Sequence, residues 1–274
     1  MPVKEIVMTV LPFSVTTPTH IAKVGLKARD GEALAAFYRN LLGLDEQSRR
    51  DGAIVLGATG RELIEIESVP SSKPDDPRSA GLFHTAFLLP SRRDLARWVR
   101  RAGENRIPVS GASDHLVSEA LYLSDPEGNG IEIYADRPKE DWVRDGGDIA
   151  MATNRLDVDN LLGELDGDTP SWTSAPDGTG IGHVHLRVGD PSVAEDWWHS
   201  EFGLATMAKY GTQAVFLASG GYHHHIGANT WQSAGAGSRD ADRAGLSFVE
   251  LASSDHASST KHDPWGTEIR VSAI

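Results

Sequence analysis

Residues 220–231 read GGYHHHIGANTW and set His223, His224 and His225 side by side in an otherwise apolar stretch. The chain has 11 histidines in all, so three in a row require an account. Imidazole is the commonest metal ligand and ordinarily changes charge near neutral pH. The triplet is therefore a metal site, an acid–base group or ordinary packing. If the stretch is a strand, alternation turns His223 and His225 to one face and His224 to the other. All three cannot then hold one ion. The chain has no cysteine, which removes disulfides, thiolate metal sites and cysteine nucleophiles.

The elements that could position such groups repeat along the chain. KVGLKARDGEALAAFYRNLLGL (23–44), HTAFLLPSRRDLARWVRRAGE (84–104) and HVHLRVGDPSVAEDWWHSEFGL (183–204) align without gaps. Each reads as a short apolar strand, a polar turn and an amphipathic helix. In the first helix Leu34, Phe37 and Leu41 recur at helical spacing and predict one buried face. Gly43 and Gly203 stand where helices stop. Strand pairs follow: RDGAIVLGATGRELIEIE (50–67), EALYLSDPEGNGIEIYA (119–135) and YGTQAVFLASGGYHHHIGA (210–228). Asp125-Pro126-Glu127-Gly128 in the second is a β-turn with proline at its favoured position.

The unit is βαβββ, and the fold class is α+β. AGLSFVEL (244–251) and DPWGTEIRV (263–271) form a shortened fourth copy with no room for a helix. The expected order is an arm (1–19), module 1 (20–70), module 2 (80–135), a long crossover (136–180), module 3 (181–231) and truncated module 4 (244–274). Trp197 and Trp198 read as core or interface rather than as stacking partners for a ligand.

Hydrophobic residues make up 39% and charged residues 24%, which is a globular composition. A formal net charge of −13 without a basic run argues against nucleic acid and against an anionic membrane surface. No apolar run reaches the roughly 18 residues that span a bilayer. MPVKEIVMTVLPFSV contains Glu5 and Pro12 and no small-residue cleavage site, so it reads as a disordered arm or edge strand rather than a signal peptide. A cytoplasmic setting is the default expectation.

Paired βαβββ modules resemble the vicinal oxygen chelate superfamily of glyoxalases, bleomycin-resistance proteins and extradiol dioxygenases. The resemblance covers roughly 20–135 and 180–272. It implies half-barrel cups, each able to hold a divalent metal through the start of first strands and through last strands. The first-strand positions read Lys23, His84, His183 and approximately Leu246. The last-strand positions read Glu65, Glu132, a residue of the His triplet and Arg270. Modules 2 and 3 thus offer His84, Glu132 and His183, a 2-His-1-carboxylate set suited to non-haem Fe(II); Mn(II) or another divalent metal is the alternative. These modules are expected to pair as one cup.

SDHLVSEALYLSDPEGNGIE (113–132) is similar to the extradiol dioxygenase signature through His115, Leu121-Tyr122, Asp125-Pro126, Gly128 and Glu132. Ser113 is the one departure from that pattern. The whole chain is most similar to bacterial catechol-2,3-dioxygenase-like proteins. The resemblance implies His224 as acid–base group, with His115 and Tyr122 beside the substrate. A shift of one register would instead bring His225 in as a further ligand. The expected substrates are a small catecholic molecule and dioxygen, and a homodimer contact is expected at module 1. A metal-dependent glyoxalase or thiol transferase, and a binding protein for an aromatic antibiotic, are the competing readings. The first usually carries Glu or Gln where a triplet histidine stands, and the second typically loses the ligands.

Overall fold

The computed structural model describes residues 11–274. The first ten residues of the expected arm, and with them the reading against a signal peptide, lie outside the described residues. Residues 11–18 are not a free arm. A 3-10 turn over Phe13–Thr16 packs inward, with Ser14 and Val15 buried.

Strand β1 (Thr19–Ala28) runs into helix α1 (Gly31–Leu42), then β2 (Asp45–Arg50), β3 (Ala53–Ala58) and β4 (Arg61–Ser68). The second unit is β5 (Gly81–Leu88), α2 (Arg92–Glu104), β6 (Gly111–Asp114), β7 (Ser118–Ser124) and β8 (Gly130–Asp136). The crossover carries structure of its own: β9 (Arg144–Asp145), β10 (Asp148–Ile149), β11 (Asn154–Arg155) and a short helix α3 (Val158–Leu162). The third unit is β12 (Gly180–Arg187), α4 (Pro191–Phe202), β13 (Ala205–Tyr210), β14 (Ala214–Ala218) and β15 (Ile226–Asn229). The last has β16 (Gly245–Ser253), β17 (Ser259–His262) and β18 (Glu268–Ala273), with no helix between them.

Local chemistry sets the helix ends. Asp30, Ser91 and Asp190 each accept a backbone N–H of the first turn, so one orphan donor of each helix is met by a short polar side chain. Gly43 (φ 73°) and Gly203 (φ 62°) close α1 and α4 in the left-handed region that glycine adopts without a Cβ penalty. The buried face of α1 is Leu34, Ala35, Tyr38, Leu41 and Leu42; Phe37 is only half-buried at its edge. Trp98 on α2 is fully buried and donates from Nε1 to the Leu41 carbonyl at 3.0 Å, which docks α2 on α1. Trp198 is buried, with Trp197 half-buried beside it.

The strands form two large sheets. One has seven strands in the order β17-β18-β16-β1-β4-β3-β2, and the other has nine in the order β11-β6-β7-β8-β5-β12-β15-β14-β13. The first and fourth units thus share one sheet, and the second and third share the other. Each sheet is centred on an antiparallel pair of first strands, β1 with β16 and β5 with β12, flanked by parallel last strands. One continuous apolar core joins both sheets to the helices, and two smaller apolar clusters, around Tyr222 and around Tyr134, lie apart from it.

Candidate functional site

The central pair β5 and β12 aligns His84 with His185 and Ala86 with His183. Irregularities in the ladder flank this stretch on both sides, between Ile181 and His183 and between His185 and Leu186. Bulges of that kind re-aim side chains beside sites. Parallel pairing then sets Glu132 of β8 beside Ala86. The three side chains converge: His84 Nε2 lies 3.0 Å and His183 Nε2 3.2 Å from Glu132 Oε2, and the two nitrogens are 3.3 Å apart. All three residues are buried, at 6%, 2% and 2% exposure. Two imidazole nitrogens and a carboxylate oxygen within 4.8 Å of one another are a donor set that a divalent cation fits.

Burial alone would raise the Glu132 carboxyl, but His183 and His84 outweigh it and hold it well below the usual carboxylate range. Burial pushes His183 down to about 4 despite Glu132, so at neutral pH its imidazole is uncharged, the form that binds metals. His183 Nδ1 is buried with no partner among the described residues.

On one side of the trio, Tyr122 stands directly across from Glu132 in the β7–β8 ladder. Its hydroxyl is 2.6 Å from His115 Nε2, and His115 Nδ1 is 2.6 Å from the Ala152 carbonyl of the crossover. A carbonyl only accepts, so Nδ1 carries the proton and Nε2 accepts from Tyr122. Burial, and next the nearby Glu132 charge, push the Tyr122 hydroxyl well above its ordinary value, which keeps it protonated. Asp125 of the same stretch pins its turn: Oδ1 accepts from Glu127 and Asn129, and Oδ2 accepts from Tyr38.

On the other side sits the His triplet, and here the strand expectation fails. Residues 220–225 form the connection between β14 and β15, so period-two alternation does not govern them and the three rings diverge. His224 lies against His183 with the ring planes tilted at 43° and 4.0 Å between ring centres, and His223 bonds to Asp136 and to His224. His225 points away from the trio. Its Nδ1 accepts from the Ser219 N–H, and its Nε2 meets Thr17 Oγ1 and the Ser14 carbonyl. Both ring nitrogens are thereby used to hold residues 14–17, which leaves none to serve as an extra ligand. Burial lowers His225 to about 3.

Two register expectations also change. In β15 the residue matched to Glu132 is Gly227, paired with His185 as Glu132 is with Ala86. No triplet residue holds that place. In β16 the residue matched to His183 is Phe248 rather than Leu246, which stands at the place of Ile181; the same ladder irregularity separates each pair.

Sequence reading passed over His185 and Asp136 and gave the crossover (136–180) no part in the site. His185 is two residues from His183 and therefore on the same face, a signal present in HVHLRV. Its ring covers Gly227, where a Cβ would come within 2.8 Å of it, and its Nε2 is buried without a partner among the described residues. Phe83 and Trp231 flank that ring at 5.3 and 5.2 Å.

Two curled sheets of βαβββ units, one carrying a buried 2-His-1-carboxylate trio, place the chain in the glyoxalase/bleomycin resistance protein/dioxygenase superfamily, to which it belongs; that family model matches residues 19–133. A relative from Bacillus subtilis (strain 168) named catechol-2,3-dioxygenase is 41% identical over 242 residues, 87% of this chain and 84% of the relative. Glyoxalase I from Zea mays has a similar fold at 11% identity, with TM-score 0.54 over 94% of this chain and 93% of that one. The cppA protein of Streptococcus pneumoniae TIGR4 is similar at TM-score 0.55 and 12% identity, over 93% of this chain and 99% of its own. Among the described residues no helix is long and apolar enough to cross a membrane.

Proposed function

We propose that the chain is an extradiol ring-cleaving dioxygenase acting on a catechol-type aromatic, with Fe(II) held by His84, Glu132 and His183. The observation that carries the reading is the donor count. Three donors converge, and the matched fourth position is Gly227, which has no side chain to offer. When bound there, Fe(II) supplies a redox-active centre with positions left open for a catecholate and for dioxygen. The likeness to a relative named catechol-2,3-dioxygenase supports the same direction.

The surrounding residues then have distinct tasks. Tyr122, held by His115, offers its hydroxyl oxygen beside Glu132 to orient a substrate hydroxyl. His115 itself is fixed by the Ala152 carbonyl, so the pair forms a rigid wall rather than a mobile one. On the opposite side His224 takes a proton from a substrate hydroxyl and later returns it. Its 8% exposure and its contacts with His183 and Phe216 keep bulk water from competing for that proton.

The test is anaerobic loading with Fe(II), then addition of catechol and air. A yellow ring-fission product is expected. No product across several catechols, together with no bound iron, would sink the proposal. His84→Ala and Glu132→Gln should each lose metal by more than the ~10–100-fold that outer-shell changes cost. His224→Ala should keep metal and lose turnover by ~10²–10⁴-fold.

A further inference from the structure

Asp136 ends β8, and its Oδ1 accepts twice: from His223 Nε2 at 2.9 Å and from the Tyr222 hydroxyl at 3.2 Å. Tyr222 spends its single proton on Asp136, so the Tyr134 hydroxyl, 2.7 Å away, donates to Tyr222. An oxygen that accepts two donors requires the His223 proton at Nε2. A neutral imidazole has one N–H, which leaves His223 Nδ1 with a lone pair. That atom lies 2.8 Å from His224 Nδ1, and a contact of this length needs one proton between the two nitrogens. With His223 carrying its single N–H on Asp136, the proton belongs to His224 Nδ1, and His224 Nε2 is bare. Packing holds the chain of bonds in place. His223 is fully buried, with the Tyr222 ring tilted against it at 4.0 Å, Trp142 at 5.3 Å and Tyr134 at 6.2 Å.

We propose that Asp136, acting through His223, is a positioning residue that locks His224 in the Nδ1–H tautomer, so that a substrate hydroxyl meets an unprotonated Nε2. Only that last clause rests on the ring-cleavage reading. Asp136 and His223 touch no substrate themselves. The arrangement parallels the way a buried carboxylate fixes a catalytic imidazole's tautomer in hydrolytic triads, with a second histidine inserted between the two.

The experiment is long-range ¹H–¹⁵N correlation on the metal-free, full-length chain labelled in histidine, which separates bare from protonated ring nitrogens. The expected spectrum has His224 protonated at Nδ1 and bare at Nε2, and His223 protonated at Nε2. His223→Phe removes the acceptor and should release His224 from that tautomer. His223→Gln, whose amide can donate to Asp136 and accept from His224, should restore it. In iron-loaded protein, His223→Phe and Asp136→Ala should lower kcat by ~10²-fold or more with KM and iron content little changed, and His223→Gln should recover much of the loss. A wild-type His224 protonated at Nε2, or a His223→Phe protein that keeps the Nδ1–H form, overturns the proposal. So does an Asp136→Ala enzyme of wild-type kcat. The expected spectrum in a protein that cleaves no catechol would support the lock and sink the ring-cleavage reading instead.

Discussion

A methyl group at Gly182 tests whether the site and the fold are coupled as the geometry requires. A Cβ built at Gly182 falls 1.7 Å from the Tyr134 hydroxyl oxygen, 2.8 Å from Cζ and 3.2 Å from Leu88 Cβ. Tyr134 is fully buried and cannot swing into solvent, so Gly182→Ala must displace the ring and break its bond to Tyr222. Overpacking of this kind costs ~1–3 kcal/mol and the lost hydrogen bond ~1 kcal/mol more. At roughly 2–4 °C per kcal/mol for a chain of this size, the melting temperature should fall by about 5–15 °C. The decisive arm is a double-mutant cycle in urea or heat on metal-free protein. Tyr134→Phe removes the atom that clashes most, so in the Gly182→Ala background it should recover ~1–2 kcal/mol even though alone it destabilises. Recovery should be partial, because Cζ remains inside contact distance. If Gly182→Ala melts within a degree or two of wild type, or if Tyr134→Phe adds its own loss on top, the packing argument is wrong.

Lys23→Met should destabilise by about 1–3 kcal/mol, less than the ~3–5 of a fully buried pair because its carboxylate partners are 19–33% exposed. Burial would lower Lys23, but Glu65, Glu250 and Glu62 outweigh it and raise it above 10.5; its contribution is therefore complete below that pH and is lost as pH rises through the higher folded value, so the stability gap between wild type and variant, read by urea unfolding, should be flat at neutral pH and close in strong alkali. A gap that closes on acidification alone, with the alkaline arm flat, would contradict this. Ser91→Ala removes the cap that accepts from Asp94 N–H at 3.1 Å and should cost ~1 kcal/mol by the same assay, with unchanged metal affinity. Tyr122→Phe should bind iron like wild type and lose ~10²-fold in kcat; loss of iron instead would move Tyr122 into the metal's own support.

How much of this was legible depends on whether the information is local. The helices with their Asp30, Ser91, Gly43 and Gly203 ends lie in short stretches of sequence, and so does the turn at Asp125. The repeat itself carries the fold class, because three copies align without a gap. It also brings His84 and His183 to matched places, and the β5–β12 ladder sets their side chains diagonally across from each other. What stayed hidden is non-local or irregular. His223 meets Asp136 across 87 positions of sequence, and nothing in either neighbourhood announces the other. The matched residue in β16 is Phe248 rather than Leu246, and nothing in the apolar run AGLSFVEL tells which residue will face Gly25 across the ladder. YHHHIG reads as strand from its flanks, yet Gly220 and Gly221 both take positive φ and turn the chain before β15 can start. The crossover looks like linker by composition, but Trp142 packs on His223 and the Ala152 carbonyl fixes His115.

The two sheets show what the repetition does and does not transmit. The ladder that pairs His84 with His185 and Ala86 with His183 pairs Lys23 with Glu250 and Gly25 with Phe248 in the other sheet. At the place matched to the trio, Lys23 Nζ lies 3.0 Å from Glu65, 3.1 Å from Glu62 and 3.4 Å from Glu250. A lysine ammonium, held by carboxylates, thus stands where His84 and Glu132 converge in the sister sheet. Phe248 removes the second nitrogen donor, and the Arg270 guanidinium stacks on its ring at 3.5 Å in the place matched to Gly227. In the cleft of about 460 Å³ over this face, Lys23, Arg50 and Arg270 are each paired with Glu65. Backbone geometry is shared by both sheets; chemistry is not, and it follows from which of four matched positions keeps a neutral nitrogen or a carboxylate. By that criterion one substitution, His84→Lys, should convert the trio into a second internal ion pair with Glu132 and leave the fold standing.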